Sequence, residues 1–267
     1  LSFKGEGTVI PHSLIDMHDA LATLGHRIYV VDLPAISKNG EQHLLEIAIM
    51  DALVKIKPDL IVTIDTVGLI ANQYLFAKPH VKVISWFFDN PNYLIDGLDF
   101  ALFNSRYYLF CWDKEYENDV RKRGISRFFH QPFGTNPKVY LPMDVEKIYD
   151  VSFVGSWSDL REDAIREICR RGITIDLFGN DRWLQADLEN VRFHGYAENR
   201  QQCPLIYNQS KINLNITNFE LLSALPVRVY DVGACRSFLL TDDKDDVRLL
   251  FDEDELVIYE GFDDLAD

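Results

Sequence analysis

The chain has 267 residues, of which 47% are hydrophobic and 26% are charged, and its formal net charge is −15 at pH 7. This length and composition indicate two packed domains and exclude a largely disordered protein. The negative charge disfavours nucleic-acid binding, although a few arginines can still dominate one cleft. The four cysteines are scattered without metal-like spacing, as is typical of reduced thiols in a cytoplasmic protein.

The sequence predicts neither a membrane span nor a signal segment at its start. No apolar run reaches the roughly 18 residues that a membrane span needs, and no signal segment opens the chain. The first residues resemble the end of a strand and the last resemble the first turn of a helix. Both chain ends are therefore predicted to be truncated.

The first half alternates apolar strands with helices. From the apolar spacing, helices are predicted at 12–24, 44–56 and 115–124, and strands at 27–33, 59–65, 81–88, 100–104 and 107–112. Strands that alternate with helices indicate a parallel sheet covered on both faces.

A segment rich in proline and turn formers, 132–142, is typical of an interdomain connection and places the boundary near residue 145. The predicted domains are 1–145 and 146–267. In the second, strands are expected at 150–154, 174–178, 191–193, 212–216, 238–241 and 256–259, and helices at 161–171, 204–210, 226–234 and 245–250. The predicted fold class is α/β, with two tandem doubly wound, Rossmann-like domains whose ligands bind at the carboxyl ends of the strands.

Arg228 and Asp231 lie three residues apart on one predicted helix and are expected to share an exposed stripe. Pro226 suits the first turn of that helix, where its missing N–H is no loss. Arg228 and the free N–H groups could hold a diphosphate, while Asp231 could accept hydrogen bonds from ribose hydroxyls. The alternative is an ordinary surface ion pair, and the spacing alone favours it.

The second half also carries a longer pattern, in the segments 207–215, 228–235, 238–242 and 246–259. It is similar to an Arg-x-x-Glu-Ala-x-Ala-Cys-Gly motif followed by Phe-Leu-Leu-Thr-Asp, and so resembles the CgeB-like (spore-maturation type) glycosyltransferases of the GT-B superfamily. Upstream, 150–156 is similar to the family's opening strand and glycine turn, and 86–91 to its strand ending in Asp-x-Pro. Two residues depart from the motif, because Asp231 replaces Glu and Arg236 replaces a conformationally freer Gly.

The resemblance implies a site for a nucleoside diphosphate sugar in the second domain, an unidentified hydroxyl acceptor, and no cofactor or metal ion. Gly155 would allow close backbone approach, Arg161 would reach a phosphate, and the later turns would contact the base. The alternatives are ordinary strand-end turns and a solvated arginine. The residues implied to bind the donor are Gly155, Ser156, Arg161, Gly179, Asn180, Gly195, Tyr196, Arg228 and Asp231.

In the first domain, His12 and Asp89 are candidates to deprotonate the acceptor hydroxyl. Asp89 ends an apolar strand, and His12 follows Gly5-Glu6-Gly7, which resembles half of a glycine-rich loop. The alternatives are an Asx-Pro turn and a helix-start histidine. Two other functions stay open: a two-lobed protein that binds a small ligand, and a catalytically idle GT-B scaffold.

Overall fold

A computed structural model describes residues 2–4, 12–32, 42–77, 80–252 and 254–266. The chain divides into two compact units, residues 1–132 and 133–267, which we call the first unit and the second unit. The sequence places the boundary further along, near residue 145. The intervening segment is tied to the second unit, since the Tyr140 hydroxyl donates to the Asn199 carbonyl oxygen at 2.6 Å and the Met143 amide donates to Asn208 Oδ1 at 2.8 Å.

The described strands of the first unit are all parallel and form two hydrogen-bonded sheets. The first sheet pairs β1 (Ser2–Lys4) with β2 (Val30–Asp32), and β1 also contacts the strand at Leu60–Ile64. The second sheet has the order β3 (Leu60–Ile64), β4 (Lys82–Phe87), β5 (Tyr107–Cys111), β6 (Phe128–His130). The helices are α1 (His12–Thr23), α2 (Gln42–Ile56), α3 (Gln73–Ala77), α4 (Pro91–Leu94) and α5 (Glu117–Lys122).

The predicted strand at 100–104 is wrong. The chain here forms two short 3₁₀ helices, Phe100–Leu102 and Asn104–Arg106. The Asp99 side chain accepts a hydrogen bond from the Ala101 amide at 3.1 Å and so starts a turn that the apolar run alone does not reveal. Strand β6 was not predicted.

The second unit contains one six-stranded parallel sheet. Its order is β12 (Val257–Tyr259), β11 (Leu239–Asp242), β10 (Ser210–Asn215), β7 (Tyr149–Val154), β8 (Ile175–Phe178), β9 (Val191–Phe193). This is the strand order of a Rossmann sheet, and the order reverses between β7 and β10. The helices are α6 (Asp159–Arg170), α7 (Gln202–Gln209), α8 (Val227–Ala234), α9 (Asp245–Leu250) and α10 (Gly261–Ala266), with a 3₁₀ helix at Asp181–Gln185.

Helices cover both faces of this sheet. Leu177 packs in one buried cluster with Ile165 of α6, and its neighbour Phe178 packs in another with Val229 of α8. Because successive residues of a strand point to opposite faces, the two clusters lie on opposite sides of the sheet. The unit is therefore doubly wound, as predicted. No helix in the described ranges is long and apolar enough to cross a membrane.

Arg236 follows α8 in a left-handed conformation, with φ of 52°. Its amide donates to the Gly233 carbonyl oxygen at 2.9 Å, and the Ser237 amide donates to that of Val232 at 3.2 Å. These two bonds form a Schellman motif, in which glycine is the usual left-handed residue. Arg236 therefore occupies the position at which the CgeB-like family, which this chain resembles, has glycine.

Arg236→Gly is expected to raise the free energy of unfolding by about 1 kcal/mol, because the left-handed conformation is costly for a residue with a Cβ atom. Urea denaturation measures the change. The matched control is Arg170→Gly, at the end of α6, which is expected to lower the stability by up to about 1 kcal/mol. A loss of stability in Arg236→Gly would contradict this account of the turn.

Candidate functional site

The point where the strand order reverses is the place at which parallel α/β sheets bind ligands. Here β7 ends at Val154 and β10 ends at Asn215. Arg161 of α6 reaches this point, where its Nε donates to the Ile216 carbonyl oxygen at 3.0 Å and its Nη1 donates to that of Ser156 at 3.0 Å. Both bonds are to uncharged backbone oxygens just beyond strand ends, so they fix the guanidinium group without neutralising its charge.

Arg228 reaches the same point from α8, and its Nη1 donates to Asn215 Oδ1 at 2.7 Å. A Cβ atom on Gly155 would lie only 2.7 Å from Arg228 Nη2. Glycine at position 155 therefore leaves the room that the guanidinium group occupies.

The two guanidinium groups lie beside one aromatic ring, since their carbon atoms are 5.7 Å (Arg161) and 5.0 Å (Arg228) from the centre of the Phe153 ring. In the described part of the chain, neither arginine forms an ion pair with a carboxylate. Burial, together with the charge of Arg228, lowers the pKa of Arg161 to about 10 against the opposing charge of Asp242, so the Arg161 guanidinium group stays charged at neutral pH. Two adjacent cations at one strand edge are suited to binding an anion, within a chain of net charge −15.

Asn215 holds Arg228 in place. Its side chain is fully buried, and its Nδ2 donates to Thr241 Oγ1 at 2.9 Å and to Asp242 Oδ1 at 3.1 Å. These donor bonds turn the amide oxygen toward Arg228. Burial raises the pKa of Asp242, which also accepts a hydrogen bond from the Thr217 hydroxyl at 2.8 Å.

Sequence reasoning gave no role to Asn215 or Asp242. The available signal was that asparagine and aspartate end two strands, which places polar groups at the carboxyl edge.

The three predicted glycine turns are brought together. The Gly155 amide donates to the Phe178 carbonyl oxygen at 2.8 Å, and the Gly179 amide donates to that of Gly195 at 2.9 Å. The Trp183 indole N–H donates to the Gly155 carbonyl oxygen at 2.9 Å. The turns after β7, β8 and β9 are thus linked into one continuous edge.

Three other predicted residues lie along this edge. Ser156 is exposed, and its carbonyl oxygen binds Arg161. Asn180 Oδ1 accepts from the Trp157 amide at 3.1 Å, which ties the β8 turn to the β7 turn. Tyr196 is 69% exposed, so its ring is available for stacking. Their contacts with a ligand stay a prediction.

The expected exposed stripe of Arg228 and Asp231 is wrong. Asp231 is only 4% exposed, and its Oδ1 accepts a hydrogen bond from the Thr135 hydroxyl at 2.6 Å. The short Asp231 side chain binds Thr135, whereas the longer Arg228 side chain extends to Asn215 at the end of β10. A surface ion pair, the alternative, is wrong as well, because the Asp231 side chain is buried.

In the first unit, Asp89 is exposed and follows the end of β4. His12 begins α1, but its side chain lies outside the described structure, as do Gly5, Glu6 and Gly7. The structure adds Asp65, which sequence reasoning missed, although it follows the apolar strand β3 just as Asp89 follows β4. Asp65 Oδ1 accepts hydrogen bonds from the Phe88 amide at 2.9 Å and the Asp89 amide at 3.3 Å.

Comparison with known sequences gives one family match, in which residues 161–267 match a family described as glycosyl transferase-like. The match covers most of the second unit, including both arginines, and supports glycosyl transfer as the general class of activity. No curated protein matches the sequence.

Solved structures match almost the whole chain. A glycosyltransferase from Rickettsia africae has a TM-score of 0.65 at 12% identity, covering 99% of this chain and 85% of that one. HepE from Anabaena, solved with UDP, has a TM-score of 0.64 at 12% identity, with coverages of 99% and 87%. AviGT4, a glycosyltransferase of avilamycin A biosynthesis, has a TM-score of 0.60 at 12% identity, with coverages of 100% and 85%. The predicted GT-B fold class is confirmed.

Proposed function

We propose that this protein is a glycosyltransferase that moves a sugar from a nucleoside diphosphate sugar to a hydroxyl acceptor. The observation that carries the proposal is the pair Arg161 and Arg228, whose unpaired guanidinium groups meet where the strand order reverses. A diphosphate is the part of the donor that matches two adjacent cations, because each guanidinium donates several charge-assisted hydrogen bonds.

The same pair accounts for the chemistry of transfer. When the bond between the anomeric carbon and the diphosphate breaks, its electron pair goes to the leaving phosphate oxygen. Cations already fixed beside that oxygen stabilise the developing charge, so the proposed reaction needs neither a metal ion nor a cofactor. Arg161 and Arg228 are held by Ile216, Ser156 and Asn215, which supports such a fixed arrangement.

The rest of the donor is assigned to neighbouring turns. We propose that Gly155 lets the diphosphate approach the backbone, and that the base lies against the turns at Gly179, Asn180, Gly195 and Tyr196. Because Asp231 is buried, a ribose hydroxyl would have to reach the Asp231 carboxylate beside Thr135 in order to bind it. We propose the CgeB-like subtype because of the similar motifs that begin at residue 207 and the similar upstream segments 86–91 and 150–156.

Donor turnover distinguishes an enzyme from a small-ligand binding protein or an idle scaffold. The protein is incubated with UDP-, GDP-, ADP-, CDP- and dTDP-linked sugars, and the released nucleoside diphosphate is measured. Slow hydrolysis of one donor is expected, and Arg228→Ala should suppress it. Binding without release would favour the binding protein, and neither binding nor release would favour the scaffold.

A further inference from the structure

Asp242 lies one side chain away from Arg228, at the carboxyl end of β11. Arg228 Nη1 donates to Asn215 Oδ1 at 2.7 Å, and Asn215 Nδ2 donates to Asp242 Oδ1 at 3.1 Å. The Thr217 amide and the Thr217 hydroxyl donate to the same Asp242 oxygen, at 3.1 Å and 2.8 Å. These hydrogen bonds fix the carboxylate next to the arginine site.

The charge of Asp242 also acts on Arg161. Burial and the charge of Arg228 lower the pKa of Arg161, whereas the charge of Asp242 raises it. In the part of the chain that the structure describes, no ion pair joins Asp242 directly to either arginine. Asp242 is therefore a counter-charge that is close to both guanidinium groups and leaves their outer N–H groups open to a ligand.

Two other titratable groups belong to the surroundings of Asp242. Burial raises the pKa of Asp242, against the opposing Thr217 hydrogen bond and the opposing charge of Lys244. Lys244 Nζ donates to the Leu221 carbonyl oxygen at 2.9 Å. Burial, together with the charge of Asp242, raises the pKa of Tyr259, which stays neutral at pH 7. Asp242 is thus the anionic group that is coupled to the two arginines.

We propose that Asp242 limits how tightly Arg161 and Arg228 hold the nucleoside diphosphate, so that this product leaves after sugar transfer. The inference rests on the proposed function. A carboxylate near a bound anion repels it, and the repulsion grows with the charge of the anion. The released diphosphate ends in a phosphate monoester, which carries more negative charge at pH 7 than the diester of the donor. Asp242 therefore weakens the binding of the product more than that of the donor.

Asp242→Asn removes the charge and keeps the hydrogen bonds, because the asparagine oxygen can still accept from Asn215 and Thr217. UDP-, GDP-, ADP-, CDP- and dTDP-glucose are screened, and the one that binds is titrated calorimetrically, as is its nucleoside diphosphate. Affinity for the nucleoside diphosphate is expected to be about 10-fold higher in Asp242→Asn than in the wild type, with a smaller gain for the glucose-linked donor. Structural damage would lower the affinity, so a gain reports the charge.

The matched control is Asp243→Asn. It removes the same charge at the next residue, from an exposed carboxylate that pairs with Arg248 at 3.0 Å. Affinity is expected to stay within about twofold of the wild type, because exposed ion pairs contribute little.

The pH dependence of the wild type gives a second test. Because its pKa is raised, Asp242 takes up a proton as the pH falls from about 7 to about 5, and the repulsion is lost. Wild-type affinity for the glucose-linked donor should therefore rise several-fold over this range, toward that of Asp242→Asn. Both phosphates of this donor are diesters that do not titrate here, and other titrating groups contribute equally to the two proteins.

The outcomes separate this inference from the proposed function. If Arg161→Ala and Arg228→Ala weaken binding but Asp242→Asn binds no more tightly than the wild type, this inference alone is overturned. A gap between the two proteins that stays constant as the pH falls would overturn it as well. A wild-type protein that binds none of the five donors would overturn the proposed function and this inference with it.

Discussion

Replacing Arg228 with alanine is expected to weaken the binding of a nucleoside diphosphate by about 10- to 100-fold. A hydrogen bond to a charged group contributes about 1.5–3 kcal/mol, and every 1.4 kcal/mol is about tenfold in affinity. Arg161→Ala should have an effect of similar size, because its guanidinium group lies beside the same Phe153 ring. Isothermal titration calorimetry of the wild type and both variants measures the change.

The control for this experiment is Arg170→Ala. Arg170 is also an arginine of α6, but its exposed side chain pairs with Glu167 at 3.2 Å. It removes the same charge from the protein and is expected to leave affinity within about twofold, as surface ion pairs contribute little. Unchanged affinity in both Arg161→Ala and Arg228→Ala would refute the assignment of the anion site.

Replacing Gly179 with alanine is expected to destabilise the second unit by about 1–3 kcal/mol or more. The added Cβ atom would lie 2.6 Å from Trp183 Nε1 and closer still to the Gly155 carbonyl oxygen, where the two atoms share a hydrogen bond. Because one obstacle is backbone, the turns after β7 and β8 would have to separate. Urea denaturation monitored by tryptophan fluorescence follows the loss.

Gly233→Ala is the matched control for Gly179→Ala. Gly233 lies within α8, and a Cβ atom there meets nothing within 4 Å. Alanine in a helix is favoured over glycine by up to about 1 kcal/mol, so this variant should be as stable as the wild type or more stable. Equal stability of Gly179→Ala and the wild type would show that the turns are not held as the structure has them.

The sequence was sufficient to predict the features that depend on the local pattern of residues, which are the strands, the helices and the glycine turns. The alternation of strands and helices predicted two parallel α/β units, and glycines after apolar strands predicted the turns that the structure brings together. The helix that carries Arg228 was also predicted, although the reach of its guanidinium group to the end of β10 was not.

The sequence failed where contacts join distant residues. The burial of Asp231 depends on Thr135, which lies 96 residues earlier in the chain, and no helical periodicity reports that contact. The role of Asn215 depends on Thr241 and Asp242 of the neighbouring strand. Asp65 was missed for another reason, because the left-handed backbone and the accepted hydrogen bonds that distinguish it from Asp89 exist only in three dimensions. The CgeB-like subtype and the cytoplasmic location stay predictions.

The most direct measurement is a crystal structure with the nucleoside diphosphate that gives the largest rise in melting temperature among UDP, GDP, ADP, CDP and dTDP. The account predicts phosphate oxygens within hydrogen-bonding distance of both the Arg161 and the Arg228 guanidinium groups, beside the turn at Gly155. A nucleotide bound elsewhere on the chain, with these two arginines contacting no phosphate, would contradict it.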